Sequence, residues 1–285
     1  MLKTNISDRW LSDEPLSLMT LALDVVESLY GLEIRDQAEV SLFALEQELA
    51  EHLGEQLASG PVSGSDVLAA LYGPLGLAGD WERFFAIENC LMDKVLIRLR
   101  GIPVTLAIVV LHLCERFGVR AEGIGFPGHF LLRLFNDQAT DQKQDQSTSA
   151  SQDIIDPFTG KVLTRHEIEQ LLRGARGNLA KLKPKHLQPA EPLEVLTRLL
   201  NVTKASFIHH QQFDQALICS QLLLVLKPEC PFERRDRGFL YEQLDCNQLA
   251  ADDFEFFIEQ CPEDPVSDVL KAQVLALDLV PQTLH

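Results

Sequence analysis

Residues 102–114, Ile-Pro-Val-Thr-Leu-Ala-Ile-Val-Val-Leu-His-Leu-Cys, form the longest apolar run in the chain. The run lacks period-2 alternation and is too long for an ordinary strand, yet too short to span a bilayer. Gly101-Ile102-Pro103 opens it. Proline suits the first turn of a helix, where a missing N–H costs nothing. Gly118 then supplies a stop. The pattern predicts a helix over about 103–117 that is apolar on nearly every side, and such a helix must sit in the middle of a core. With 285 residues, 46% of them hydrophobic, the chain can bury it in one large domain or two ordinary ones. That composition excludes a disordered chain. The opening Met1–Asp8 has no apolar stretch, so no signal peptide is expected, and a cytoplasmic protein without membrane attachment is.

The flanks are read from period and punctuation. Leu18, Leu21, Leu23, Val25, Val26, Leu29 and Tyr30 recur at helical spacing up to Gly31. Asp36-Gln37-Ala38-Glu39 resembles a capping box opening a second helix to about Leu53, with Val40, Phe43, Ala44 and Leu49 on its apolar side. A loop at Gly60–Ser65 precedes a short helix at Asp66–Leu71. After the central run, Val119–Phe126, His129–Phe135 and Ile154–Asp156 read as strands. The polar stretch Asn136–Asp153 between the last two reads as a mobile surface loop. Thr164-Arg165-His166-Glu167 is a capping box for a helix to about Arg173. The proline-rich segment Lys181–Pro192 reads as a linker at a domain boundary.

Charge narrows the function classes. The net charge of −17 argues against direct nucleic-acid binding, since phosphates would be repelled. Residues 161–190 stand apart, with seven Lys or Arg against two acidic groups. Such a stretch is either a solvated face or a docking patch for an acidic partner. The six cysteines show no CxxC and no zinc-type spacing, so they are expected to be core thiols, with no metal or other cofactor.

The C-terminal third repeats itself. Phe207 and Tyr241, Ala216 and Ala250, and Pro228 and Pro262 are each 34 residues apart. The period, with an aromatic, a small residue and a closing proline, resembles the tetratricopeptide repeat. Gly238, Tyr241, Ala250, Phe254 and Pro262 fall at that repeat's offsets, whereas the first copy has Lys204 where glycine belongs. Two copies plus a helix at about Pro265–Leu277 make a short array.

Two candidate chemistries follow from the sheet region. Gly123-Ile124-Gly125-Phe126-Pro127-Gly128 matches G-x-G-x-x-G, but a strand pattern follows where a phosphate-binding helix should begin, which excludes dinucleotide binding. His129 and Asp156 are better placed. If their strands pair antiparallel across the polar loop, imidazole and carboxylate meet, forming the base-and-orienter half of a nucleophilic triad. The same pair can equally be a structural hydrogen bond fixing two strands.

Asn89, the string Leu96–Leu106, Ala121–Phe130 with its Gly-Phe-Pro-Gly-His-Phe, and Asp156-Pro157-Phe158-Thr159-Gly160 resemble the SirB family of bacterial proteins. That family joins a transglutaminase-like domain to tetratricopeptide repeats. The resemblance implies a Cys-His-Asp triad whose cysteine opens the central helix in a Gly-x-Cys turn. Aligned with Gly101-Ile102-Pro103, that turn places Pro103 at the nucleophile position, and proline cannot attack a carbonyl. Thr105 and Cys114 point elsewhere along the helix, and Cys90 precedes it.

The resulting expectation is an α+β fold, mainly helical. A helical leader at 1–80 precedes a transglutaminase-like core at 81–185 with a small antiparallel sheet, and a tetratricopeptide-like array fills 193–285. The implied function is a non-catalytic regulator or scaffold that binds a protein or peptide partner. Binding would use the remnant cleft at His129 and Asp156 and a repeat groove that includes Asn201 and Lys204. The alternative is a hydrolase-type enzyme in which His129, oriented by Asp156, is a general base acting without a protein nucleophile.

Overall fold

A computed structural model describes Ile6, Arg9, Trp10, residues 16–135 and residues 152–277. Of the loop expected at 136–153, residues 136–151 lie outside the described residues, while Gln152 and Asp153 belong to a strand instead. Contacts divide the chain into two compact units, one of Leu16–Leu199 and one of Met1–Pro15 with Leu200–His285.

In the first unit, helix α1 (Leu18–Tyr30) is capped by Ser17, whose hydroxyl accepts the Thr20 N–H, and ends at Gly31 with φ +90°. Helix α2 (Leu32–His52) starts at once, four residues before the expected capping box at Asp36. Glu39 does not cap. Its carboxylate takes the Arg35 guanidinium at 3.0 Å, and the same guanidinium holds the buried Asp24 and, at 2.7 Å, Glu27 of α1. Arg35, Ala38, Leu42, Leu45 and Leu49 form the inward stripe. Val40, Phe43 and Ala44, expected inside, are exposed instead, because the Arg35 network rotates that face outward. Short helices α3 (Gly54–Ser59) and α4 (Gly64–Tyr72) follow, the second with a complete Ser63/Asp66 capping box.

The two-residue strand β1 (Ala78–Gly79) comes next, then helix α5 (Met92–Arg98), then β2 (Arg100–Gly101), which pairs in parallel with β1. Helix α6 (Pro103–Arg116) is the central one. Val104–Val110, Leu113 and Cys114 are buried, and Gly118 turns the chain at φ +73°. Strands β3 (Ala121–Ile124), β4 (Leu131–Phe135), β5 (Gln152–Asp156) and β6 (Lys161–Val162) form an antiparallel sheet in sequence order. Helix α7 (Arg165–Arg176), opened by the Thr164/Glu167 box, lays Ile168 and Leu172 against Ile124, Phe126 and Leu131. Helix α8 (Pro192–His209) begins in this unit, where Arg198 donates to the Phe126 carbonyl at 3.2 Å.

In the second unit, helices α9 (Phe213–Leu226), α10 (Pro231–Gln243), α11 (Asn247–Gln260) and α12 (Pro265–Ala276) form the repeat array with the end of α8. A Cβ on Gly238 would lie 2.5 Å from the Phe254 ring, so only glycine lets α10 and α11 close to this distance. One period earlier these two positions hold Lys204 and Ser220, which are also buried. There the Lys204 ammonium sits 2.8 and 2.7 Å from the two Glu233 oxygens, and the Ser220 hydroxyl donates to the same carboxylate. A buried ion pair thus replaces a glycine–phenylalanine contact.

Candidate functional site

His129 lies in the turn after Pro127-Gly128, two residues before β4, and Asp156 ends β5. Antiparallel pairing of Leu132 with Ile155 brings the two together, His129 Nε2 to Asp156 Oδ1 at 2.9 Å. Asp156 Oδ1 also accepts the Phe158 N–H at 2.9 Å, and its Oδ2 accepts the Thr159 hydroxyl at 2.9 Å. Burial works against the charged carboxyl, but the His129 hydrogen bond, the Phe158 N–H and the Thr159 hydroxyl outweigh it and hold Asp156 below the usual carboxylate range. With Asp156 ionised, a neutral His129 keeps its proton on Nε2 and presents the Nδ1 lone pair, which has no hydrogen-bond partner among the described residues.

The turn after Asp156 and the head of α6 are held on opposite sides of β1. The Ala78 and Asp80 N–H groups donate to the Leu99 and Gly101 carbonyls, each at 3.1 Å, whereas the intervening Gly79 N–H donates to the Phe158 carbonyl at 2.8 Å. Alternation along one strand thereby ties Gly101-Ile102-Pro103 to the Asp156–Gly160 turn. A Cβ on Gly79 would strike the Phe158 ring at 2.4 Å, and one on Gly160 would strike Tyr72 at 2.3 Å. The Tyr72 hydroxyl donates to the Pro157 carbonyl, and burial, followed by the nearby Asp156 charge, pushes its pKa far up. Tyr72 is therefore a fixed donor and not an acid.

Pro103 occupies the first position of α6. The other candidate nucleophiles are spent or hidden. The Thr105 hydroxyl donates toward the Asn89 carbonyl at 2.9 Å and accepts the Ile102 N–H at 3.1 Å. Cys114 is fully buried, which pushes its thiol up to about 12. Cys90 is buried as well. Asn89 and Arg98 act as a clamp: Arg98 bonds Asn89 Oδ1 at 3.0 Å and Asp80 Oδ2 at 2.8 Å, fixing the 80–89 loop on the end of α5, while the Asn89 carbonyl takes the Thr105 hydroxyl of α6.

That loop carries what the sequence reading missed. Trp81 packs edge-on against Phe158 with centroids 4.4 Å apart, and Phe84 lies 5.9 Å from the same ring. Trp81 is nonetheless 74% exposed and Phe85 69% exposed. The signal was the Trp81-Glu-Arg-Phe84-Phe85 cluster outside any periodic segment. In the second unit, Asn201 is exposed, whereas Lys204, read as a groove group, is only 6% exposed and turned into the array. Its ammonium belongs to Glu233, because an unpaired charge could not be buried there. Among the described residues, no group of three or more His, Cys, Asp or Glu is placed to hold a metal ion, and no helix is long and apolar enough to cross a membrane.

A family model described as the transglutaminase-like superfamily matches residues 37–201, and a tetratricopeptide-repeat model matches 203–274. A protein named SirB1 from Salmonella typhimurium is 34% identical over 227 residues, which covers 79% of this chain and 80% of its own. The chain belongs to the SirB family of transglutaminase-like proteins. A UPF0162 protein of Vibrio cholerae is similar to this SirB-family chain at 39% identity over 220 residues, 76% of this chain and 77% of the other. The UPF0162 protein YchA of Escherichia coli K12 is 33% identical over 208 residues, 73% of each. No solved structure matches this chain.

Proposed function

We propose that this SirB-family chain is a non-catalytic regulator or scaffold that binds a protein or peptide partner through its repeats and the remnant transglutaminase-like cleft. The observation that carries the reading is Pro103 at the head of α6, in the position the family resemblance gives to the nucleophile. Thr105, Cys90 and Cys114 offer no replacement, being bonded or buried. Tetratricopeptide arrays generally bind proteins, and the exposed Trp81 and Phe85 give the cleft region an apolar face of the kind that anchors interfaces. Asn201 is the repeat-groove group that remains after Lys204 is assigned to Glu233.

The unpartnered His129 Nδ1 supports the second reading, a hydrolase in which His129 is a general base on water. Affinity capture from bacterial cytoplasm with the full chain separates the two. The scaffold reading expects capture to fall in Asn201→Glu and in Trp81→Ala/Phe85→Ala, and a folded His129→Ala to keep the capture that runs through the repeats. Hydrolysis of an ester or amide library by the purified chain, abolished by His129→Ala, would replace it with the enzymatic reading.

A further inference from the structure

A second surface lies at the end of α7, whose Ala175 packs against Gly128 of the His129 turn. After α7 ends at Gly177, the chain runs as a strap across the sheet. Ala180, Leu182 and Leu187 face inward onto the cluster of Ile124, Phe126, Leu131, Ile168 and Leu172. Lys181 and Lys183 alternate with the first two, Lys185 sits in the 3-10 turn Pro184–Leu187, and all three are exposed. The strap is anchored at its far end. Arg133 donates to the Leu187 carbonyl, Ala190 donates to the Gly123 carbonyl at 2.8 Å, and Pro189 bridges Ile124. The Lys183 N–H donates to His186 Nδ1 at 3.2 Å.

These groups line a concavity of about 580 Å³ with Arg176, and no acidic side chain lines it. Among the described residues, Arg176, Lys181, Lys183 and Lys185 form no ion pair, unlike Arg165 and Arg173 on the same helix, which hold Glu169. Arg176 complements the C-terminal end of the α7 dipole, but the three lysines lie beyond the helix and have no such role. Lys181 and Lys183, two apart in extended chain, are about 7 Å apart, and Lys185 follows in the tighter 3-10 turn Pro184–Leu187, so each lies within a Debye length of about 8 Å of the next and their fields add. Beside them Leu179 is 95% exposed.

We propose that this strap docks an acidic polypeptide segment that carries an apolar residue, its carboxylates meeting Arg176, Lys181, Lys183 and Lys185 and its apolar side chain covering Leu179. Charge complementarity sets the partner. Outside 161–190 the chain holds 18 Lys or Arg against 40 acidic groups, so an extended nucleic acid would leave the patch and meet repulsion, whereas a short segment would not. The anchored strap presents its cations on backbone that is already ordered, so binding costs only side-chain freedom. This surface stands whether the His129 turn is a binding site or a catalytic one.

Fluorescence anisotropy of the full chain with a labelled peptide of four Glu-Asp-Leu repeats tests it. The peptide should bind, and should weaken by about tenfold or more in Lys181→Glu/Lys183→Glu/Lys185→Glu, by less in the matching Gln variant, and in Leu179→Ser. Lys183→Glu alone should weaken it more than Lys271→Glu, which makes the same charge change on the repeat array. Circular dichroism checks that each exposed-site variant remains folded. The proposal is overturned if a Gln-Asn-Leu peptide binds equally well, if the triple variant binds as the native chain does, or if a twelve-nucleotide single strand binds more tightly than the peptide. A concentration-dependent dimer that the triple variant abolishes would also overturn it, giving the patch to a second copy.

Discussion

Asp156→Ala probes whether the His–Asp pair holds the turn that carries Phe158. The substitution removes three hydrogen bonds, from His129 Nε2, the Phe158 N–H and the Thr159 hydroxyl, each at 2.9 Å. At about 1 kcal/mol net each, and more where the acceptor is charged, the loss at pH 7 should be about 3–5 kcal/mol. The pH dependence gives a second, independent signature. A carboxyl held below its unfolded pKa of about 3.9 contributes stability above that value and loses it as pH falls through the lower folded value. The gap between native and variant chains should therefore be full at pH 7 and shrink as pH falls from 4 toward 3. The chain has two tryptophans, so a Trp10→Phe background leaves Trp81, 4.4 Å from Phe158, as the reporter for urea titrations. A gap below about 1 kcal/mol at pH 7, or one that does not change on acidification, would refute the assignment of the turn to the carboxylate.

Lys204→Met should cost about 3–5 kcal/mol in the repeat array by stranding buried Glu233, with partial recovery in Lys204→Met/Glu233→Leu, while exposed Asn201→Ala should stay within about 0.5 kcal/mol; denaturant midpoints for the four chains decide it. Gly160→Ala adds a left-handed backbone penalty at φ +71° to a clash with Tyr72 and should cost more than about 2 kcal/mol, whereas Gly177→Ala, at φ +90° with nothing near its Cβ, should show only the backbone part in thermal melts. Pro103→Cys, made with Cys246→Ser to remove an exposed thiol, should fold, since this first position of a helix accepts many residues. Its new thiol should alkylate with iodoacetamide far faster than Cys114, and an unreactive thiol in a folded chain would break the alignment with the enzymes' nucleophile.

The parts legible in the sequence were those where one local rule acts alone. Pro103 and Gly118 bracket α6, Gly31 stops α1, Thr164 and Glu167 cap α7, and the 34-residue period locates the α10–α11 pair. The His129–Asp156 contact was legible because antiparallel pairing of two strands brings the start of one beside the end of the other. What failed depended on partners distant in sequence. Glu39 looked like a cap and is an Arg35 ligand, and that network decides which side of α2 faces inward. Lys204 looked like a solvent-facing departure from the repeat, and its meaning lay 29 residues on, at Glu233. The aromatic loop was missed because β1, two residues long, has no periodicity, yet it links the two turns that matter.

Those two turns suggest why a His–Asp pair is useful without a nucleophile. The Asp156 carboxylate is bonded by His129 and by the turn that follows it, and together these bonds fix the Asp156–Gly160 turn. Tyr72 locks the same turn from the other side through the Pro157 carbonyl, and Gly79 makes room for the Phe158 ring. Phe158 is in turn the surface on which Trp81 and Phe84 lean, so a rigid ring supports side chains that are otherwise open to water. An exposed tryptophan held in this way loses little rotamer freedom on binding, which removes part of the cost that a mobile aromatic would pay. In the binding reading, the carboxylate that orients a base in an enzyme here orients an anchor. Loss of capture in Asp156→Ala at a temperature where the chain is folded, matched by Trp81→Ala, would connect the two roles, and capture unaffected by either would leave the pair a purely structural hydrogen bond.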